Sequence, residues 1–377
     1  MTKPITFLMV LNDLDWFWSH RLPLAHAIQA KGWTLHLATA RAPQDPEITK
    51  KNIIPHDIPA HGHSLNPLSH IKIVWGIAQV IRRVKPDILH AITLRHALYA
   101  GLAARISPSC PVVFTIAGLG TLFTHADLRS RLLRAMVLPV LKLAFARQDA
   151  RIIFQNPDDQ RAFLNLKIVR PEQTAIIRGS GVDITAFAFT PEPSETPPRI
   201  LFPSRLLKEK GIFDFVTAAQ IIKQKGIAAV FQVAGAVYPG NPHSVSNMDI
   251  DGWVKDGIIE YLGNCRDMPR VISDSTLVVL PSYYGEGVPK VLLEAGAIGR
   301  PVITCDMPGC REAVQDGYNG LLVPPKNPET LAQAIENLLS NPETRARMGK
   351  AGRDHVESDF TATIVTQKTL KVYEDII

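Results

Sequence analysis

The sequence contains few cysteines and no long hydrophobic run. It has no stretch of about 18 uncharged apolar residues, so no segment is predicted to span a bilayer. The apolar run at residues 5–11 is too short for a secretory signal, and no small-residue cleavage site follows it. The 4 cysteines form no CxxC pair, which argues against a disulfide framework and a zinc site. These absences predict a cytoplasmic protein with reduced thiols.

Internal repeats of 20–50 residues are also absent, and the GLG at 118–120 lacks the third glycine of a dinucleotide-binding fingerprint. The chain has 377 residues, of which 46% are hydrophobic and 20% are charged. That length suits two domains of about 150–200 residues each. The composition is that of a globular protein rather than a disordered or fibrous one.

The charge is unevenly distributed along the chain. Residues 1–180 hold 22 Lys and Arg against 11 Asp and Glu, whereas residues 181–377 hold 19 against 24. A basic half favours a polyanionic partner, which leaves nucleic acid, an anionic membrane surface and a polyanionic substrate open. Because no nucleic-acid recognition motif is present, binding to nucleic acid is not expected.

Short apolar runs alternate with helical patterns, which predicts an α/β fold with two doubly wound parallel sheets and a ligand in the cleft between them. Strands are predicted at residues 5–11, 34–40, 87–92, 111–118, 151–156, 174–179, 199–204, 229–235, 258–263, 276–282 and 301–306. Helices are predicted at residues 19–32, 71–86, 96–107, 211–226, 288–299, 327–341 and 361–377, the first between Ser19 as N-cap and Gly32 as C-cap. Four prolines make residues 190–199 a linker or an edge loop.

The most informative stretch spans residues 280–303. A strand is followed by a glycine-flanked loop and by a helix that is predicted to start at Val288, with Pro289 in its first turn. The backbone N–H groups of residues 287–290 would then form an anion cradle that the helix dipole reinforces.

Two glutamates, Glu286 and Glu294, belong to the same stretch. Each has a simple structural interpretation. The carboxylate of Glu286 would interact favourably with the positive end of the helix dipole, and Glu294 can pair with Lys290 at i,i+4. The combination of a strand end, paired glycines, a proline and two glutamates favours a ligand-binding loop instead.

A second signal is a group of cations just after the predicted strand at 199–204. Arg205 follows the strand, and Lys208 and Lys210 precede a helix that begins near Gly211. Cations at a helix N-terminus oppose its dipole by roughly 0.3–1 kcal/mol each. Either these cations lie in a solvated loop where their placement is unfavourable, or they bind a diphosphate. In the second case Arg205 would hold the diphosphate bidentately and Lys210 would act as a point charge.

Together these segments resemble the family-4 retaining glycosyltransferases of the GT-B class, and most closely the bacterial branch that acts on undecaprenyl-diphosphate-linked saccharides. The matching segments are Glu286 with Glu294, residues 204–211, 181–183 and 262–269, WSHRLPLA at 18–25 and GLGTLF at 118–123. The resemblance implies an N-terminal acceptor domain over 1–183 and a donor domain over 184–360, two Rossmann-like domains facing a central cleft. It also implies that the helix at 361–377 crosses back to the first domain, where Ile364, Leu370 and Val372 would dock.

The resemblance also implies roles for individual residues. Glu286 would bind the donor sugar, Glu294 the ribose, and Arg205 and Lys210 the diphosphate, with Glu286, Arg205 and Lys210 as the catalytic group. The other implied donor-site residues are Gly181, Arg266, Asp267, Met268, Gly285, Gly287, Val288 and Pro289. The implied reaction moves a hexose or an N-acetylhexosamine from a UDP-sugar to a lipid-diphosphate-linked saccharide.

No cofactor and no metal ion are expected, because fixed cations and a helix N-terminus can neutralise the departing diphosphate. The DxD triplets at 13–15 and 249–251 are not read as metal sites, the second because it falls in a polar loop at 239–252. A nucleotide-sugar epimerase on the same fold and a non-catalytic sugar-binding protein remain alternatives. An epimerase would act on the UDP-sugar alone.

The acceptor is expected to bind the basic half. Trp16 lies in a predicted loop at 12–20 and packs either in the core or against the acceptor, His20 stands at the predicted helix start, and Arg95 follows the strand at 87–92. No histidine stands near Ala117, where some relatives have one.

A basic helical segment at 128–147 should be kinked or split by Pro139. It is either a core helix with solvated charges or an interfacial helix on anionic lipid, which the basic half favours. Its basic residues are Arg129, Arg131, Arg134, Lys142 and Arg147. In the second interpretation Leu132, Leu133, Val137 and Leu141 would enter the headgroup layer, and the protein would lie peripherally on the inner face of the cell membrane.

Overall fold

The computed structural model describes residues 4–59, 67–107, 110–120, 128–194, 196–238 and 241–377. The chain forms two compact units, Met1–Ser180 with Ala362–Ile377 and Gly181–Thr361. The boundaries expected from the sequence lie at 183 and 360, and those of the structure lie at 180 and 361.

Each unit is built on one parallel sheet. The strands of the first unit are β1 (Thr6–Val10), β2 (Thr34–Thr39), β3 (Ile54–Asp57), β4 (Ile88–Ile92), β5 (Val112–Ile116), β6 (Ala150–Phe154) and β7 (Thr174–Ile176), in the order β3–β2–β1–β4–β5–β6–β7. Those of the second are β8 (Arg199–Pro203), β9 (Val230–Ala234), β10 (Glu260–Gly263), β11 (Leu277–Leu280), β12 (Val302–Cys305) and β13 (Gly320–Val323), in the order β10–β9–β8–β11–β12–β13. All the strands that we predicted are present. The two that we missed, β3 and β13, are four-residue strands at sheet edges.

Helices cover the sheets of both units. In the described part of the chain they are α1 (Leu14–His20), α2 (Leu22–Ala30), α3 (Pro46–Lys50), α4 (Pro67–Val84), α5 (Leu94–Arg105), α6 (Leu128–Phe145), α7 (Pro157–Asn165), α8 (Ile212–Gln224), α9 (Asn247–Lys255), α10 (Met268–Ser273), α11 (Lys290–Ile298), α12 (Pro308–Ala313), α13 (Pro328–Ser340), α14 (Pro342–Asp359) and α15 (Ala362–Glu374). In the first unit, α4, α5 and α6 share one apolar core, whereas α1, α2 and α15 pack into another.

The strand order reverses at β1 in the first sheet and at β8 in the second. At such a switch point the loops after two neighbouring strands diverge, which leaves room for a ligand at the carboxyl edge of the sheet. We therefore expect ligands to bind at the loops after β1 and β4 and at the loops after β8 and β11.

The first predicted helix starts earlier than expected and is broken. The carboxylate of Asp13 accepts a hydrogen bond of 2.7 Å from the backbone N–H of Trp16 and caps α1, so most of the predicted loop at 12–20 is helical. Ser19 is not a cap, because its hydroxyl donates to the carbonyl of Asp15 at 2.6 Å. The chain breaks at Arg21 and continues as α2. Gly32, at φ +75°, ends that helix as predicted.

The proline-rich segment is not a linker between the units. Arg300 and Arg345 are 1% and 8% exposed, and both use this segment as hydrogen-bond acceptor. Arg300 donates to the carbonyl of Thr190 at 2.8 Å, and Arg345 forms an ion pair of 2.6 Å with Glu192. Buried guanidinium groups need such partners, and they hold residues 190–194 on the second unit.

The C-terminal helix α15 packs against α2 of the first unit. Leu370 is buried as expected, whereas Ile364 and Val372 are only half-buried. The deepest residue is Tyr373, which is fully buried and whose hydroxyl lies 2.7 Å from Nδ1 of His90. Burial lowers the pKa of His90 well below its usual range, so its imidazole is neutral and has one accepting and one donating nitrogen. Nε2 of His90 lies 2.8 Å from the hydroxyl of Thr115.

Candidate functional site

Two loops meet at the carboxyl edge of the second sheet. Strands β8 and β11 are parallel neighbours, with Leu201 opposite Val278, so the loops that follow them leave the sheet side by side. The first loop, residues 204–211, contains a short 3₁₀ helix (Lys208–Lys210). The second loop, residues 281–289, leads into α11.

The contact between these loops is a largely buried ion pair. Nζ of Lys210 lies 2.5 Å from Oε2 of Glu286, and the two side chains are 8% and 18% exposed. The hydroxyl of Ser282 donates to the other carboxylate oxygen of Glu286 at 2.8 Å. Nζ of Lys210 also lies 5.8 Å from the ring centre of Tyr284. The structure therefore brings together two residues that we predicted to be catalytic, and it adds Ser282, which we had taken only as a strand end.

Glycines allow the chain to pack closely around this pair. A Cβ on Gly309 would lie 1.5 Å from the carbonyl oxygen of Gly287, so position 309, which packs against the second loop, must be glycine. Gly211 has a φ of +82°, and its Cβ would lie 2.1 Å from the carbonyl oxygen of Pro281. Sequence reasoning missed Gly309, because it follows β12 and belongs to no motif near Glu286.

The helix after the second loop begins later than predicted. Pro289 is its N-cap, with an extended ψ of 114°, and α11 starts at Lys290 rather than at Val288. Gly287 and Val288 are buried beneath the loop, whereas Gly285 and Glu286 are half-buried. The positive end of the helix dipole is thus at Lys290, immediately beside the segment that carries Glu286.

A second ion pair, between Lys290 and Glu294, lies on α11. The carboxylate of Glu294 is nearly buried, at 9% exposure, and the i,i+4 pair that we weighed for it is formed. Nζ of Lys290 also lies 5.4 Å from the ring centre of Phe187. The two predicted glutamates are therefore each held by a lysine on the same edge of the unit.

Most of the remaining predicted donor-site residues are more exposed, whereas Gly181 is buried. Arg205 is exposed directly after β8, and no ion pair joins its guanidinium to any residue that the structure describes. Arg266 and Asp267 are exposed, Met268 is half-buried, and Asp267 caps α10 by accepting from the N–H of Arg270 at 3.2 Å. Gly181, at φ +80°, is the first residue of the second unit.

The predicted acceptor residues belong to the first unit. Arg95 is exposed in the first turn of α5, after β4, as expected. His20 is the last residue of α1, so its predicted place at a helix start is wrong. Trp16 is half-buried and stacks on His20, with ring centres 4.9 Å apart, and the guanidinium of Arg21 lies 4.8 Å from its ring centre.

Arg21 is an unusual group that sequence reasoning did not assign to the site. It is 4% exposed, and neither Nε nor Nη2 has a hydrogen-bond partner among the residues described. Burial lowers its pKa to about 10. Its cation is therefore held between α1 and α2 mainly by packing.

One aspartate of each DxD triplet takes part in a helix cap. Asp13 caps α1, and Asp249 forms a reciprocal capping box with Ser246 at the start of α9, which corrects the predicted loop at 239–252. Residues 239–240 of that loop lie outside the described ranges. Within the described ranges, no group of three His, Cys, Asp or Glu side chains is arranged to hold a metal ion.

The basic helix α6 is not split by Pro139. Arg131 is exposed, and Arg134 and Lys142 are half-buried, whereas the side chain of Arg129 lies outside the described part of the structure. Residues 121–127, which include part of the GLGTLF segment, also lie outside it.

The interpretation of Arg147 as a membrane-facing residue is wrong. Its guanidinium pairs with Asp149 at 2.6 Å and donates to the carbonyls of Ala104 and Cys110 at 2.9 and 3.1 Å. Leu141 is buried in the core, whereas Leu132 is 60% exposed. No helix in the described ranges combines the length and the hydropathy needed to cross a bilayer.

Comparison with known proteins agrees with the fold. Residues 183–355 match the family model "Glycosyl transferases group 1", and residues 8–156 match "Glycosyl transferase 4-like". One curated relative is the N,N'-diacetylbacillosaminyl-diphospho-undecaprenol alpha-1,3-N-acetylgalactosaminyltransferase of Campylobacter jejuni, 27% identical over 83% of this chain and 84% of the relative. The alpha-D-kanosaminyltransferase of Streptomyces kanamyceticus is 29% identical over 48% of this chain and 46% of the relative.

Solved structures with low sequence identity share the fold. Sucrose-phosphate synthase of Thermosynechococcus elongatus superposes with a TM-score of 0.80 at 21% identity and covers 99% of each chain. Anabaena HepE, in complex with UDP and glucose, gives a TM-score of 0.77 at 18% identity over 98% of this chain and 99% of HepE. The predicted GT-B fold with two Rossmann-like domains is confirmed. With its two family matches on the two units, the chain belongs to the group 1 and family-4-like glycosyltransferases and is a glycosyl-transferring enzyme.

Proposed function

We propose that this enzyme transfers a hexose or an N-acetylhexosamine from a UDP-sugar to a lipid-diphosphate-linked saccharide, with retention of configuration at the anomeric carbon. The name of the Campylobacter relative, which aligns over 83% of this chain, supports the acceptor class. The UDP in the HepE complex supports the donor class. The observation that carries the proposal is the Lys210–Glu286 pair at the edge of the second sheet, whose lysine shares the loop at 204–211 with Arg205.

Transfer breaks the bond between the anomeric carbon and the diphosphate, and the electron pair leaves on the phosphate oxygen. The oxygen of an acceptor hydroxyl forms the new bond to the anomeric carbon, and the proton of that hydroxyl passes to the departing diphosphate. Fixed cations that face the departing phosphate stabilise this charge as it develops. Lys210 is already oriented by Glu286, which Ser282 holds in turn, so it needs little reorganisation. Arg205 is an exposed cation in the same loop. Glu286 then has two roles: it positions Lys210, and its carboxylate accepts hydrogen bonds from sugar hydroxyls.

Glu294 is assigned to the ribose of the donor. Replacing it with Gln should raise the donor KM about 10- to 100-fold with little change in kcat, because ribose contacts are equal in the ground and transition states and a hydrogen bond to a charged group contributes about 1.5–3 kcal/mol. Steady-state kinetics over a range of UDP-sugar concentrations measures this.

The matched control is Lys290→Gln, which breaks the same ion pair but keeps the carboxylate. It should leave the donor KM within about threefold of the wild type. An equal rise in KM for both variants would mean that the ion pair, and not ribose binding, explains the effect.

Turnover should not require a divalent metal, because Lys210, Arg205 and the start of α11 supply the positive charge. Activity after incubation with EDTA and desalting should stay within about twofold of the untreated enzyme. A loss of activity that Mg²⁺ or Mn²⁺ restores would contradict this prediction. It would mean that the protein cations, including Lys210, do not neutralise the diphosphate on their own.

The reaction itself is tested with a panel of UDP-sugars and a lipid-diphosphate-monosaccharide acceptor, with the anomeric configuration of the product read by NMR. An α-linked product from an α-linked donor is expected. Incubation with the UDP-sugar alone is the second arm: rapid conversion to an epimer without acceptor would favour the epimerase and overturn the transferase proposal.

We also propose that the enzyme works at the inner face of the cell membrane, where a lipid-linked acceptor resides. Support comes from α6, which exposes Arg131 together with Leu132 and Leu133 at 60% and 47%. Basic side chains near an anionic leaflet each contribute about 1 kcal/mol to binding.

A further inference from the structure

We propose that His243 is a positioning residue of the donor site, which holds Lys210 in place through the carboxylate of Glu209. His243 lies in a third loop, residues 235–246, between β9 and α9. Because β9 is the parallel neighbour of β8, this loop leaves the second sheet beside the loop at 204–211. The inference rests on the proposed function, since it concerns the cation that would face the departing diphosphate.

The backbone of the third loop is joined to the backbone of the first. The N–H of Val245 donates to the carbonyl of Leu206 at 3.0 Å, and the N–H of Lys208 donates to the carbonyl of His243 at 2.8 Å. An antiparallel bridge lies between these two hydrogen bonds. His243 is therefore fixed relative to the 3₁₀ helix that carries Lys210.

The side chain of Glu209, which precedes Lys210, is held by the third loop. It is only 11% exposed, and its Oε1 is in contact with Nδ1 of His243. Because a carboxylate only accepts hydrogen bonds, Nδ1 must carry the proton. No other ion pair reaches this carboxylate from the residues that the structure describes. A poorly solvated carboxylate is costly to leave without a donor, so this contact fixes the direction of the Glu209 side chain.

The main chain of Glu209 is held from the opposite side, by the second loop. The N–H of Tyr283 donates to the carbonyl of Glu209 at 3.0 Å. Lys210 follows directly in the chain, and its own ammonium group is paired with Glu286 of that second loop. Glu209 is thus bound to one loop through its carbonyl and to another through its carboxylate. The position of the Lys210 backbone depends on both contacts.

Loss of the His243 contact has a predictable electrostatic consequence. The Glu209 carboxylate would either turn towards another donor or open the 3₁₀ helix until water could reach it. Either change displaces Lys210, the next residue, from the place where the diphosphate would gain charge. A displacement of about 1 Å in such a group can lower a rate about 100-fold. His243 therefore affects catalysis without contacting the donor itself.

The first test removes the imidazole. His243→Ala should lower kcat about 10- to 100-fold and change the donor KM less than about threefold, because the stabilisation supplied by Lys210 increases in the transition state. The side chain of His243 is 55% exposed, so its removal is not expected to unfold the protein. The matched control is His355→Ala, whose imidazole lies 3.4 Å from the carbonyl of Glu312 in the same unit, and its kcat should stay within about twofold of the wild type.

Rescue by asparagine separates positioning from direct contact with the donor. The amide nitrogen of His243→Asn takes about the place of Nδ1 and can donate to Glu209, but this side chain has no counterpart of Nε2. Its kcat should therefore stay within about threefold of the wild type. If His243→Asn were as impaired as His243→Ala, the ring or its Nε2 would be needed directly, and the positioning role would be refuted.

Double variants show whether the effect passes through Glu209 and Lys210. In a Lys210→Ala background, His243→Ala should lower kcat by less than about twofold more, because the group that it positions is gone. The same small change is expected in a Glu209→Gln background, where no buried charge needs a partner, and this pair keeps the test valid if His243→Ala does not fold. Multiplicative losses in both backgrounds would show that His243 acts independently of them.

Binding of UDP alone, measured by isothermal titration calorimetry, separates this inference from the proposed function. The wild type should bind UDP, and His243→Ala should bind it with a Kd within about threefold, because the lost effect belongs to the transition state. A wild type that neither binds UDP nor uses a UDP-sugar would refute the proposed function. A wild type that transfers sugar normally, with His243→Ala turning over at the same rate, would overturn the role of His243 alone.

Discussion

Replacing Lys210 with alanine is expected to lower kcat about 100- to 1000-fold, with a smaller change in the donor KM. The leaving diphosphate gains charge as its bond to the sugar breaks, and loss of one preorganised donor at such a site costs about 2.7–4 kcal/mol in the barrier. Lys210 is 6% exposed and oriented by Glu286, so water replaces it poorly. Single-turnover kinetics with saturating donor measures the chemical step directly.

Lys208→Ala is the matched control, since this lysine lies two residues away and is exposed. It should keep kcat within about twofold of the wild type. Glu286→Ala should also be strongly impaired, and Lys210→Ala/Glu286→Ala should be no worse than Lys210→Ala alone, because each single change leaves an unpaired charge in a poorly solvated site. Independent, multiplicative effects of the two changes would show that they do not act as a pair.

Replacing Tyr373 with alanine is expected to lower the free energy of unfolding by about 3–5 kcal/mol, the usual cost of removing a large aromatic side chain from a core. Tyr373 is fully buried between the sheet and the helices of the first unit, and its ring centre lies 4.9 Å from that of Phe7. Urea denaturation followed by circular dichroism gives the magnitude. Limited proteolysis should show that the loss is in the first unit, at residues 1–180.

Two further substitutions identify the origin of this effect. Tyr373→Phe keeps the ring but removes the hydroxyl that contacts His90, so it should cost only about 1–3 kcal/mol. Tyr318→Ala removes a tyrosine that is 47% exposed and should change stability by less than about 0.5 kcal/mol. If Tyr373→Ala were as mild as Tyr318→Ala, the C-terminal helix would not be an integral part of the first unit.

Local sequence patterns were sufficient for most elements. The short, mainly apolar segments at 87–92 and 111–118 predicted strands that are buried on both faces, and β4 and β5 are entirely buried. The first helix was misplaced because two caps competed: Asp13 begins α1, while Ser19 had the right residue type but its hydroxyl bonds back to Asp15. The proline-rich segment at 190–199 is predicted to be a linker or an edge loop because its partners, Arg300 and Arg345, are more than 100 residues away and leave no local signal.

By itself the sequence determined the parallel α/β class, the two-unit organisation and the segments that carry Arg205, Lys210, Glu286 and Glu294, because periodicity, glycines and charge placement are local properties. Only the tertiary structure decided that Lys210 pairs with Glu286, which lies 76 residues further along the chain, since that contact depends on β8 lying beside β11. The same holds for Gly309, which must be glycine only because Gly287 passes behind it. The sequence of α4 shows apolar residues on two sides of the helix. Which side stays exposed depends on where β1, β2 and α5 cover the helix. Chain segments far apart in sequence meet only after folding, and no local pattern encodes their meeting.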